Sequence, residues 1–231
     1  IEQYQGNAFE DPLKSFFKKL LGHLAPLDLS EMKEMHKHVT YLPNGVNTAS
    51  YETLELLGQA CRKKRSVEIE YCAASTQISR KRTLHPRCLI NHNGNWYLLA
   101  SVPKFAKVAC YHLARMGKDI RLGKSFEESE PFDLLKARKY AFGAFLGDSQ
   151  YKVKIRFDEV AAPYVNEKKW NETQVVKSRE DGGVDFSITV CDLTEIKAWV
   201  LSWGSHAQAV GPKKLVSALR DELKLCSQMY A

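Results

Sequence analysis

Hydrophobic and polar positions along this chain follow two periods, and each change of period marks an element. Near the start, Phe9, Leu13, Phe16, Phe17, Leu20, Leu21 and Leu24 recur at helical spacing, with Asn7 placed to cap, Glu10 to complete a capping box and Pro26 to end the pattern. Pro43, Asn44 and Gly45 predict a loop, after which Ser50 caps a second helix carrying Tyr51, Leu54, Leu57 and Cys61. Arg62, Lys63, Lys64 and Arg65 close it, either as a charged helix end favoured by the macrodipole or as a phosphate contact. From Ser66 the period falls to two: Val67, Ile69 and Tyr71 alternate with Glu68 and Glu70. Further β-type runs cover 82–90, 96–102, 107–113 and 119–122, with 91–95 as a hairpin loop. Five short strands with close turns predict a small barrel.

A second unit follows. Pro131 opens a short helix, and the stretch 142–148, with Gly143 and Gly147 and no helical period, marks a boundary. Beyond it the pattern predicts a strand over 151–157, a helix over 159–167, a strand over 173–178, a turn at Asp181-Gly182-Gly183 and a strand over 184–190. A helix over 193–202, a short strand near 207–210 and a final helix after Pro212 complete it. The order βαββαβ is that of a ferredoxin-like domain with one terminal helix added. Asp192 and Glu195 form a capping-box-like start, and Ile196, Trp199, Val200 and Trp203 make one apolar stripe whose tryptophans read as core before ligand platform. The expected organisation is a helical connector and dimerisation segment over 1–64, a barrel over 65–127, a linker helix and glycine-containing loop over 128–150, and the second domain over 151–231. The fold class is α+β.

Composition narrows the function classes. A net charge of +7 favours anionic partners, provided the cations cluster. The six cysteines are scattered, with no C-x-x-C pair, and read as reduced thiols rather than a metal site. No apolar run reaches the roughly 18 residues of a membrane span and no signal-peptide pattern opens the chain, so the expectation is a cytoplasmic protein without membrane contact. Ile1 begins the chain abruptly, as a cut inside a longer protein would. Neither N-terminal helix offers the polar face that reads a major groove. There is no P-loop, dinucleotide fingerprint, nucleophile elbow or zinc-protease helix, and the basic strands offer no paired carboxylates for a nuclease metal. His85 with Cys88 and His112 with Cys110 read as packed thiols beside polar histidines, since no third group orients a base. No catalytic residue, metal or cofactor is expected.

The informative stretch is Ser79-Arg80-Lys81-Arg82-Thr83-Leu84-His85-Pro86, then Gly94-Asn95-Trp96-Tyr97-Leu98, then Tyr111-His112-Leu113-Ala114-Arg115-Met116. It closely resembles the WYL domain, named after the tripeptide seen here as Trp96-Tyr97-Leu98. One position departs: members often carry an Arg two residues before the aromatic, and this chain has Ala109. The second unit resembles the extension that usually follows WYL domains, on Val153 to Phe157, Ala161 to Val165, Trp170, Gln174, the stretch Ile196 to Gly204 and Pro212 to Leu215. The resemblance implies an Sm-like barrel, part of a bacterial transcription regulator, sensing a negatively charged effector, with single-stranded nucleic acid or a nucleotide favoured. It also implies that duplex DNA is read by a missing upstream winged helix-turn-helix. The apolar N-terminal helix face adds the expectation of a homodimer. The ligand-binding residues it points to are Tyr71, Ser79, Arg80, Arg82, His85, Tyr97, Tyr111, His112 and Arg115. The residue types agree: Arg80 and Arg82 share a strand face, as do His112 and Arg115 if the chain bends between them, and guanidinium groups grip phosphate while tyrosine rings stack on bases. Other readings stay open. Trp96 and Leu98 fit the core, Pro86 a turn or edge, Arg115 a pair with Glu68 or Glu70, and the whole a constitutive RNA- or single-strand-binding module.

Overall fold

The computed structural model describes residues 49–103, 105, 107–127 and 132–231, and before them Ser15 alone. The amphipathic helix predicted from Asn7, the loop at 43–45 and the helix start at Pro131 lie outside the described residues. The chain divides into two compact units, parted between Glu130 and Pro131.

In the first unit, α1 (Tyr51–Arg62) starts at Ser50, whose Oγ accepts from the Thr53 N–H at 3.2 Å, and it buries Leu54, Leu57 and Ala60. Five strands follow: β1 (Arg65–Cys72), β2 (Ser79–His92), β3 (Asn95–Ser101), β4 (Val108–His112) and β5 (Arg121–Ser125). They form one antiparallel sheet in the order β4-β3-β2-β1-β5. The second strand differs from its expected short run. It is 14 residues long, pairs with β1 through its first half and β3 through its second, and shifts register between Pro86 and Cys88. Pro86 has no N–H to give the ladder, so the bulge falls where pairing is already weak. The β2–β3 loop is tighter than predicted: His92 pairs with Asn95, leaving only Asn93 (φ 50°) and Gly94 (φ 78°), the two positive values a type I′ hairpin turn demands.

The expected closed barrel is not formed by strand pairing. Among the described residues no ladder joins β4 to β5, and the sheet is open. It is nevertheless curled. β4 ends at His112, one residue short of the expected 113; the chain then makes a 3₁₀ turn, Leu113–Arg115, and bridges β1 through Met116 opposite Tyr71 and the Gly117 N–H on the Glu70 carbonyl at 2.8 Å. Val67, Leu84 and Leu98, fully buried, pack with Leu57 into one core inside that curl. Within the basic run after α1, Arg65 is spent on the fold: its Nε and Nη2 both donate to the Gly123 carbonyl, at 3.0 and 2.8 Å.

The second unit holds α2 (Leu134–Arg138), β6 (Tyr151–Phe157), α3 (Ala162–Asn166), β7 (Val175–Ser178), β8 (Val184–Val190), α4 (Thr194–Leu201), β9 (Ala207–Gly211) and α5 (Lys213–Met229). Its sheet is antiparallel in the order β7-β8-β6-β9. Alternation does the sorting: Val153, Ile155 and Phe157 on β6 and Val184, Phe186, Ile188 and Val190 on β8 face one core. The helix expected over 159–167 is reduced to a short α3, because Asp158 Oδ1 accepts from Val160 N–H and Ala161 N–H and holds the entry as a turn. Trp199 packs in the core edge, with ring centroids 4.7 Å from Trp170 and 5.3 Å from Phe142.

The capping box predicted for Glu195 is not made. Asp192 Oδ1 accepts from the Thr194 N–H at 2.7 Å, but the Glu195 carboxylate reaches away from its own helix to accept from Ala144 N–H (2.7 Å) and Phe145 N–H (3.3 Å). Gly143 permits the approach, since a Cβ there would meet Oε1 of Glu195 at 2.2 Å. The glycine-containing stretch is thus pinned to α4. Glu195→Ala leaves two backbone donors without an acceptor, that of Ala144 in a buried residue, and is expected to cost roughly 1–3 kcal/mol in urea unfolding. Gly143→Ala should destabilise as well, by steric overlap, whereas unchanged stability in both variants would mean the pin carries no weight.

Candidate functional site

The β1–β2 register sets out the arginines. Tyr71 lies opposite Arg80, Ile69 opposite Arg82 and Val67 opposite Leu84, so these six side chains share the face that becomes the core. Along that face burial falls from Leu84, through half-buried Arg82, to exposed Arg80. Arg82 Nε is out of contact with solvent and, among the described residues, has no hydrogen-bond partner. Among the described residues Arg80, Arg82 and Arg115 have no ion-pair partner, and Arg115 is not held by Glu68 or Glu70.

The rings divide between the two faces: Tyr71 and Tyr111, both buried, lie on the core face with the arginines, and Tyr97 and His112, one position from core-facing Leu98 and Tyr111, lie on the other. Tyr71 and Tyr111 meet edge to face at 5.2 Å, and the Tyr71 hydroxyl accepts from the His112 backbone N–H at 3.2 Å. Tyr97, opposite His112 in the β3–β4 register, meets its imidazole edge to face at 4.8 Å. Burial raises the Tyr111 hydroxyl above its ordinary 10.0, against the opposing pull of the Arg82 guanidinium, so it stays an O–H donor at neutral pH. Trp96 and Leu98 are buried in the core, while Tyr97 is only half-buried.

The His112 imidazole is fixed by two hydrogen bonds. Its Nδ1 accepts from the Ala114 N–H at 3.2 Å, which leaves Nε2 to donate to Asn95 Oδ1, also at 3.2 Å. That assignment is the neutral Nε2–H tautomer. Burial first, and the Arg115 guanidinium second, push the imidazole below its ordinary 6.5. Asn95 is a residue that sequence reasoning did not single out. Only the strand register brings it to a histidine 17 positions away, and nothing in the spacing signals that.

Two expected residues stand apart. His85 sits one position past Leu84, on the other face of β2, stacked on Phe126 with centroids 4.1 Å apart. Ser79 Oγ donates to Glu70 Oε1 at 2.9 Å, on the outer face. The structure therefore places Tyr71, Arg80, Arg82 and Tyr111 on one face of the sheet and Tyr97 and His112 on the other, with Arg115 in the turn after His112, and sets Ser79 and His85 on the face away from Arg80 and Arg82. Among the described residues no cluster of three His, Cys, Asp or Glu side chains is placed to hold a metal, and no helix is long and apolar enough to cross a membrane. What these cations and rings can do chemically is bind: cationic forks and ring faces suit an anion with planar parts, and no nucleophile–base pair stands among them.

Comparison with known proteins gives two family matches: the WYL domain over residues 52–122 and the WCX domain over residues 149–226. No curated protein sequence matches the chain. Among solved structures, the proteasome accessory factor B/C (PafBC) of Arthrobacter aurescens is 19% identical over 77% of this chain and 27% of its own, with a TM-score of 0.35. A CRISPR Cas-related protein is 13% identical over 76% of this chain and 50% of its own, with a TM-score of 0.52, a likeness of fold alone. The chain thus spans half or less of either structure.

The lowered imidazole has a measurable sign. In the unfolded chain His112 titrates near 6.5 and in the folded chain below it, so between those values the unfolded state holds more protons. Stability therefore rises with pH through that window and levels above it. His85, lowered by burial and then by Arg87, acts in the same direction. NMR titration should place the His112 pKa below 6.5, and the unfolding free energy should fall as the solution is acidified from neutrality; a His112 that titrates above 6.5 contradicts the site as described.

Proposed function

Because this chain belongs to the WYL-domain family, its WYL domain followed by a WCX domain, we propose that its first unit senses a negatively charged ligand and passes the binding event to a DNA-reading domain. The favoured ligand class is a short single-stranded nucleic acid or a nucleotide. One observation carries the reading: among the described residues Arg80, Arg82 and Arg115 have no ion-pair partner, and Arg82, on the face it shares with Arg80, Tyr71 and Tyr111, keeps a buried Nε–H unsatisfied. A buried donor without an acceptor costs roughly 1–3 kcal/mol, a cost that a ligand oxygen at that position removes. Phosphates supply such oxygens; Tyr71 and Tyr111 are buried, which leaves half-buried Tyr97 as the ring with surface to offer a base.

The strand order, with α1 ahead of β1 and a 3₁₀ turn between β4 and β5, supports an Sm-like barrel whose last gap is spanned by Met116 and Tyr71 in place of a ladder. The order β7-β8-β6-β9 with its intervening helices supports a ferredoxin-like second domain. In this reading residues 1–64 connect to a winged helix-turn-helix and help to form a homodimer, the protein works in the cytoplasm, and it catalyses nothing. Ser79 and His85 act on the opposite face, holding the strand that presents Arg80 and Arg82.

Arg82→Ala and Arg115→Ala are expected to weaken binding of short single-stranded oligonucleotides while leaving the thermal midpoint nearly unchanged. Each lost phosphate contact should reduce the slope of log affinity against log salt by about 0.7. Filter binding or fluorescence anisotropy across a salt series reads both quantities. Affinity per folded molecule that survives both substitutions would place the ligand elsewhere, and affinity for duplex and single strands alike would favour a constitutive nucleic-acid module.

A further inference from the structure

We propose that the second unit carries a separate small-molecule site: a groove between α4, β9 and α5 that takes an amphipathic carboxylate, an aromatic or medium-chain aliphatic acid. The groove encloses about 530 Å³, within the range of pockets that hold drug-sized ligands. Its apolar floor is made by Val200 from α4, Ala207 and Ala209 from β9, and Leu219 from α5.

The groove exists because its walls are small. Along β9 the half-buried residues of the alternating pattern are Ala207, Ala209 and Gly211, too small to fill the space towards α5, and Gln208 is the one longer side chain of the strand that lines the groove. Gly204, in the turn before β9, also lines the groove, and a Cβ placed there would meet nothing within 4 Å. β9 is an edge strand, paired only with β6, and one side is not covered by sheet. Leu223, on α5 at the groove margin, remains 56% exposed.

The charge at the groove selects the occupant. Arg220 and Lys224 both line it, four residues apart and so on one face of α5, and no acidic residue lines it. Among the described residues neither cation has an ion-pair partner. The Glu222 carboxylate on the same helix is engaged by Lys197 of α4 at 3.1 Å, away from the groove. Two adjacent like charges repel, and a single anionic group between them relieves that repulsion. A guanidinium fork matches the two oxygens of a carboxylate, with the ammonium adding a point charge. The apolar floor then requires an apolar body behind that group. A polyanion does not fit this division, because the cations line one rim only. The site shares no residue with the proposed nucleic-acid site, and the two stand or fall separately.

The test is titration of the whole ¹⁵N-labelled chain with decanoate, with decanol as the uncharged control. Saturable amide shifts are expected around Ala207, Ala209, Leu223 and Lys224, with decanol binding about ten-fold or more weaker, as loss of a charge-assisted contact implies. The double variant R220Q/K224Q, altered only on the helix surface, should lose about ten-fold in decanoate affinity with its fold intact. Ala209→Leu, which fills the floor, should abolish binding; if that variant fails to fold, the double variant decides alone. Equal affinity for decanoate and decanol, unchanged affinity in the double variant, or absence of shifts at millimolar decanoate overturns the proposal. So does sedimentation showing a dimer that R220Q/K224Q dissociates, which would make a second copy the occupant.

Discussion

The first unit depends on bringing β1 and β4 together. They stand three places apart in the sheet order, and at strand spacing a flat sheet would separate them by about 14 Å. Yet the Tyr71 hydroxyl on β1 accepts from the His112 N–H on β4 at 3.2 Å, and Met116 bridges Tyr71 from the chain that leaves β4. The sheet must curl to allow this. A long second strand with a bulge at Pro86 supplies the bend, and packing of Leu57 from α1 with Val67, Leu84 and Leu98 fills the concave side. Once the curl is made, Tyr111 and the His112 backbone are carried up to Tyr71, which pairs with Arg80 on β2. The candidate site is a consequence of curvature rather than of any one loop.

Much of this was legible in the sequence because periodicity reports which face a residue takes. The alternation through Val67, Ile69 and Tyr71, the cap at Ser50, the Asn93-Gly94 turn and the order of elements in the second unit all follow from local pattern. What local pattern does not hold is register. His85 and Arg82 lie close in sequence on one strand, but odd spacing puts them on opposite faces, and stacking on Phe126 takes His85 out of the group. Asn95 enters through a partner on another strand. Glu195 has the spacing of a capping box and forms a different contact, because a glycine 52 positions earlier lets backbone donors approach it. The gap between β4 and β5 is of the same kind: five strands predict closure, while the 3₁₀ turn after His112 routes the chain to β1 instead.

The arginines show how one residue type divides between structure and recognition. Arg65 spends two donors on the Gly123 carbonyl, and Arg121 lies on Asp119. These hold chain segments and have little left to offer a ligand. Among the described residues Arg80, Arg82 and Arg115 have no ion-pair partner, and Arg82 bears the cost of a buried Nε–H without an acceptor. These uncommitted donors are what the proposed ligand would meet. Ala109 is exposed on β4, so the arginine common in the family at this position would add a cation there rather than complete the core.

The most direct measurement observes the arginines themselves. With ¹⁵N-labelled guanidinium groups, the Nε–H signal of Arg82 should shift and exchange more slowly when a short oligothymidylate is added, as a donor does on gaining an oxygen acceptor in a dry site. Signals of Arg80 and Arg115 should move with it, and that of Arg65 should not. An oligonucleotide that binds while the Arg80, Arg82 and Arg115 signals stay unchanged would contradict the account, because the uncommitted donors would then not be what the ligand meets.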